Sequence, residues 1–96
     1  MFPFDDADGL IWLDGALVPW PEARLNVLTH SLHMGGAVFE GIRAYDGAIF
    51  LGDAHFKRLA RSAELMGYAL PHSGIELAKA AEAVLWANDL KEAYIR

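Results

Sequence analysis

Apolar and polar residues alternate in the first half of this 96-residue chain and recur at helical spacing in the second. Leu10-Ile11-Trp12-Leu13 and Ala16-Leu17-Val18 flank the pair Asp14-Gly15. That pair accommodates the positive φ angles of a tight hairpin turn, which predicts strand, turn, strand. Pro19 and Pro21 cannot donate to a ladder and end the pairing. From Gly36 to Tyr45 the pattern is again that of a strand, whose successive side chains take opposite faces. Val38, Ile42 and Ala44 point one way; Phe39, Gly41, Arg43 and Tyr45 point the other. Asp46-Gly47 repeats the turn chemistry, and Ala48-Ile49-Phe50 is its return strand.

The period then changes. Asp53 is placed to cap a helix running to about Gly67, with Phe56, Leu59, Ala60, Ala63 and Met66 as its apolar stripe. Pro71 and His72 form a linker. Ser73-Gly74-Ile75-Glu76 has the spacing of a capping box. The helix behind it carries Leu77, Ala80, Ala81, Val84 and Leu85 on one face and ends near Asn88. Glu92 to Arg96 reads as a last strand. Residues 1–9 read as a loose arm, Glu22 to Thr29 as a short strand or a loop, and His30 to Gly36 as a loop. The expected class is α+β: one antiparallel sheet built from two hairpins and the C-terminal strand, with two helices packed on one face. The other face is left for a site.

Composition narrows the possibilities. Apolar residues make up 54% of the chain and the mean hydropathy is +0.19. A domain this small buries somewhat over ~60% of its unfolded surface, so part of the apolar surface is expected to be covered by another domain or subunit. The net charge is −5 with no basic stripe, which argues against nucleic acid. The absence of cysteine removes disulfide and thiolate chemistry. No run approaches the ~18–20 apolar residues that span a bilayer. The acidic start Met1-Phe2-Pro3-Phe4-Asp5-Asp6 lacks a signal peptide's charged head. The expectation is a cytoplasmic protein without a membrane partner.

Two aromatic rings, a cation and a glycine gap on one strand face suit neither a plain core nor a plain surface. They suggest the floor of a site for a small anion with an apolar part. Arg58, beside Leu59, is either a solvated helix cation or a planar fork for a phosphate. Glu40 points to the core side. A buried carboxylate needs a partner, so backbone or an arginine should hold it, and no catalytic role is expected. His30 and His33 have no third ligand at a recognised metal spacing, and no metal is expected. His55 and His72 read as structural or exposed, and Trp12, Trp20 and Trp86 as packing anchors rather than base-stacking platforms.

The run His30 to Tyr45, the segment His55-Phe56-Lys57-Arg58-Leu59 and the ending Ala93-Tyr94-Ile95-Arg96 resemble the small N-terminal domain of branched-chain amino-acid aminotransferases, the fold type IV enzymes that use pyridoxal 5'-phosphate. The resemblance implies that Arg58 holds the cofactor phosphate. It implies that Phe39 contacts the branched side chain, that Gly41 leaves room beside it, and that Arg43 orients Tyr94, which binds the substrate carboxylate. Arg96 is the implied grip on the second carboxylate of glutamate. Met34 stands where many members carry a pocket tyrosine, on a loop that reaches the partner subunit of a dimer; methionine keeps the bulk and loses the hydroxyl. The implied reaction moves an amino group between branched-chain amino acids and 2-oxoglutarate. It needs a Schiff-base lysine that the family keeps in a larger domain, and Lys57, Lys79 and Lys91 are not placed to replace it. Residues 1–96 are therefore expected to be the N-terminal part of a longer two-domain homo-oligomer and to be inactive alone. D-amino-acid aminotransferases and aminodeoxychorismate lyases share the scaffold, but Phe39-Glu40-Gly41-Ile42-Arg43 fits the branched-chain group better. The rival outside enzymes is a non-catalytic binding or assembly module with a free sheet face.

Overall fold

The structure is a computed structural model that describes residues 7–96. Met1 to Asp6, most of the expected arm, lie outside the described residues. The strands are β1 (Leu10–Leu13), β2 (Ala16–Pro19), β3 (Ile42–Tyr45), β4 (Ala48–Ile49) and β5 (Ala93–Ile95); the α-helices are α1 (His30–Met34), α2 (Gly52–Leu65) and α3 (Gly74–Ala87). Both hairpins form where the turn chemistry put them. Asp14 and Asp46 sit at φ 48° and 49°, and Gly15 and Gly47 at 100° and 80°. Two consecutive positive φ angles make the turn that suits the right-handed twist of the strands.

The α+β class holds, but the strands divide into two sheets among the described residues: β1-β2, and β4-β3-β5, both antiparallel. The first hairpin docks on α3 instead of extending the second sheet. Asn88, at the end of α3, explains this. Its Nδ2 donates to the Leu10 carbonyl at 2.9 Å and its Oδ1 accepts the Leu10 N–H at 2.8 Å. The side-chain amide thus satisfies the groups that a neighbouring strand would have paired. His72 adds a second clamp. Nε2 lies 3.0 Å from Asp14 in the hairpin turn, Nδ1 lies 3.2 Å from Glu76 on α3, and Trp12 packs edge-on against the ring.

β3 is shorter than the expected strand from Gly36 to Tyr45. β5 pairs with Ile42, Arg43 and Ala44, and residues 36–41 carry no ladder. The alternation survives: Glu40, Ile42 and Ala44 are buried, while Phe39, Arg43 and Tyr45 are exposed. The capping box forms as expected, with Ser73 Oγ accepting the Glu76 N–H at 3.1 Å and Glu76 accepting the Ser73 N–H at 3.3 Å.

Four further expectations are corrected. His30 to Met34 is one short helix, not a loop, closed by Gly35 in the left-handed conformation. Asp53 is inside the first turn of α2; the residue before the helix is Leu51, at φ 54°, and it makes no side-chain cap. The buried side of α2 runs through His55, Phe56, Leu59, Ser62 and Ala63, whereas Ala60 and Met66 are exposed. Trp86 is not a buried packing anchor among the described residues, being 90% exposed. Ile42, Phe56 and Ala81 form a core cluster with Ile49, Leu77, Ala78 and Ile95 against them, and Ala44, Ala63, Ala80 and Leu85 are also buried.

Candidate functional site

The outward face of the β4-β3-β5 sheet gathers five of the seven residues singled out from the sequence. Arg43 and Tyr94 are direct cross-strand partners. Arg96 follows two residues after Tyr94 and places its guanidinium 5.6 Å from the centre of the Phe39 ring. Gly41 lies under the end of Tyr94: a Cβ at that position would collide with the Tyr94 hydroxyl and the adjoining ring carbons. The glycine gap is thus occupied by this chain's own phenol, the diagonal neighbour on the next strand. Arg43 lies 5.5 Å from the Tyr45 ring, and Tyr45 meets Phe50 edge-on at 5.9 Å. Phe39 is 68% exposed and Tyr94 55%. The face is apolar in its rings, cationic at Arg43 and Arg96, and open, which suits an anionic ligand with an apolar part.

Met34 is not among the residues this face brings together. It is exposed at the end of α1, on a segment tied to the far end of α2 by the hydrogen bond from the Tyr68 hydroxyl to the Gly36 carbonyl, 2.8 Å. His33 makes a 2.7 Å hydrogen bond with the Val27 carbonyl.

Arg58 belongs to the other side of the extended segment. Glu40 points inward from it and meets α2. Arg58 donates through Nε to one oxygen of Glu40 at 2.8 Å and through Nη2 to the other at 2.6 Å. His55, one turn earlier on α2, reaches the second oxygen through Nδ1 at 2.7 Å. The sequence placed Glu40 correctly and allowed an arginine as its partner; it missed His55. The available signal was the spacing of His55 and Arg58, which puts both on one helix face. Hydrogen bonds from Arg58 and then His55 outweigh burial and hold the Glu40 carboxyl down at about 2. The carboxylate in turn raises Arg58. An ionised carboxylate only accepts, so His55 Nδ1 carries a proton, and its 3.5 Å approach to Arg58 Nη2 is between two donors.

A guanidinium has five N–H donors, of which Glu40 takes two. The rest face away from the carboxylate on a side chain 67% exposed. Such a fork fits a phosphate.

These couplings predict how stability varies with pH. Glu40 is lowered from 4.5 to about 2, so its contribution is complete above 4.5 and is lost as pH falls toward 2. Glu76 is also lowered and adds to this acid limb. Hydrogen bonds to Asp14 and then Glu76 raise His72 above 6.5, so its contribution is complete below 6.5 and is lost as pH climbs through the raised value. Denaturant melts across pH should show a stability maximum between these limits. Glu40→Gln should flatten the acid limb and His72→Gln the alkaline one; unchanged limbs would contradict the assignments.

Residues 37–96 match the family model described as amino-transferase class IV. A probable branched-chain-amino-acid aminotransferase of Rickettsia felis is 51% identical over 90% of this chain and 30% of its own length. The branched-chain-amino-acid aminotransferase of Pseudomonas aeruginosa is 50% identical over 95% of this chain and 31% of its own. The chain therefore spans about 30% of the length of these relatives. Among solved structures, the T.th. branched-chain amino acid aminotransferase complexed with N-(5'-phosphopyridoxyl)-L-glutamate superposes with a TM-score of 0.86 at 43% identity, over 91% of this chain and 31% of that one. The Thermoproteus uzoniensis enzyme with norvaline gives 0.83 at 42% identity, over 90% and 30%. With the family model covering more than half its residues, and with these relatives in sequence and structure, the chain belongs to the class IV aminotransferases.

Proposed function

We propose that this chain is the small domain of a pyridoxal phosphate-dependent branched-chain amino-acid aminotransferase, acting between branched-chain amino acids and 2-oxoglutarate as a cytoplasmic homo-oligomer. The observation that carries the proposal is the outward sheet face on which Phe39, Arg43, Tyr94 and Arg96 meet around Gly41. The names of the relatives favour the branched-chain group over other class IV enzymes.

When bound, pyridoxal phosphate supplies the electron sink for amino-group transfer. Arg58 would hold its phosphate by the donors that Glu40 leaves unused. Phe39 offers an apolar wall to a branched side chain. The Tyr94 hydroxyl, kept in place over Gly41, is the donor proposed for the substrate carboxylate, with Arg43 as its cationic neighbour. Arg96, stacked on Phe39, would take the distal carboxylate of glutamate. One wall then serves both substrates: a branched side chain meets the Phe39 ring, and a carboxylate meets the cation above it. Met34 is proposed as an apolar contact from the α1 segment, acting toward a neighbouring subunit's pocket.

Lys57, Lys79 and Lys91 are exposed on α2, on α3 and before β5. None takes the part of the lysine that the chemistry requires, so residues 1–96 alone should not transaminate. The test is leucine–2-oxoglutarate turnover, with borohydride reduction to trap bound cofactor. Full-length enzyme should turn over and yield a covalent adduct, and the 96-residue chain should do neither. A full-length protein that fails both would overturn the proposal.

A further inference from the structure

The ion pair between Glu40 and Arg58 is lopsided. The carboxylate side chain is 7% exposed and the guanidinium side chain 67%. An exposed helix arginine gains little from an ion pair, and its long side chain samples many rotamers until something fixes it. Here the fixed partner is the acid, seated on the core side of the extended segment and gripped from behind by His55 at 2.7 Å. The two-point contact through Nε and Nη2 sets the plane of the guanidinium as well as its position.

We propose that Glu40, braced by His55, is the positioning residue of the anion site: it aims the unused edge of Arg58 at the cofactor phosphate before the cofactor arrives. The proposal rests on Arg58 being the phosphate anchor. Binding energy rises when a donor is ordered in advance, because less freedom is lost on association. The charge of Glu40 works in the opposite direction, since a second anion beside Arg58 repels a phosphate. Orientation and charge therefore predict opposite signs for one substitution. In Glu40→Gln the repulsion disappears, but the amide presents N–H to a donor and cannot accept from Arg58 at both atoms and from His55 as well.

The readout is the preference of full-length protein for pyridoxal phosphate over pyridoxal, as a ratio of dissociation constants. This ratio isolates the phosphate and is insensitive to general loosening of the fold. Arg58→Ala should lower it by about tenfold or more; no change would remove Arg58 as the anchor, a failure separate from that of Glu40. Once Arg58→Ala has lowered the ratio, Glu40→Gln should lower it too, by about tenfold. An unchanged or increased ratio would overturn the positioning role. The wild-type protein provides a second check that does not depend on a variant folding. The Arg58 Nε–H resonance should be shifted downfield by its hydrogen bond both without and with cofactor. Release of Arg58 from Glu40 on cofactor binding would equally overturn the proposal.

Discussion

Arg58→Ala is expected to weaken retention of pyridoxal phosphate by full-length enzyme about ten- to a hundredfold, the range for losing a charge-assisted contact. Two consequences combine. The phosphate loses a forked donor, and Glu40, buried at 9% exposure, keeps His55 as its side-chain partner among the described residues. The Glu40 carboxyl, held at about 2 chiefly by Arg58, then moves back up, and the acid limb of stability moves with it. Arg58→Lys separates charge from geometry. Lysine restores the cation but not the fork, so it should recover cofactor affinity only in part. Equilibrium dialysis and cofactor absorbance give the dissociation constants. An Arg58→Ala enzyme that retains cofactor as the wild type does would contradict the assignment.

Gly41→Val is expected to keep the fold and lose the substrate. Gly41 does not have the positive φ seen at other glycines of the chain, so a side chain there meets no backbone strain. What it meets is Tyr94. That ring is 55% exposed and can swing out into the space in front of the sheet, which spares the core of Ile42, Phe56 and Ala81. The proposed carboxylate donor is then misplaced by a valine standing in the pocket. The KM for leucine should rise by about tenfold or more, as expected when a hydrogen bond to a charged group is lost, with the melting temperature little changed. Tyr94→Phe should reproduce part of that rise, since it removes the hydroxyl and leaves the ring. If Gly41→Val instead unfolded the protein with Tyr94→Phe kinetically silent, the glycine would be a packing residue only.

The parts legible in the sequence were those governed by local rules. Asp14-Gly15 and Asp46-Gly47 fixed both turns because few residue pairs accept two positive φ angles. Ser73 and Glu76 fixed the start of α3 because their reciprocal bonds span three residues. The alternation from Phe39 to Tyr45 held even where the ladder stopped, since side-chain direction follows backbone extension and not pairing. What failed depended on contacts distant in the chain. The division into two sheets turns on Asn88 bonding to Leu10, 78 residues away, which no local pattern announces. Periodicity puts Ala60 and Met66 on the buried stripe because apolar identity does not reveal which side of α2 the core covers. His55 and Ser62 took the inward positions instead. Helix α1 left a usable trace in Gly35, whose left-handed conformation closes it, but five residues are too few for periodicity to register. The direction of Glu40 was legible from alternation; its second partner became visible only when α2 was laid against it.

The most direct test is the structure of full-length enzyme bound to the reduced adduct of pyridoxal phosphate and leucine. The leucine side chain should lie against Phe39 and its carboxylate within hydrogen-bond distance of Tyr94. The phosphate should meet the edge of Arg58 that Glu40 leaves unused. An adduct seated elsewhere, with the outward face of β3 and β5 open to solvent, would contradict the account.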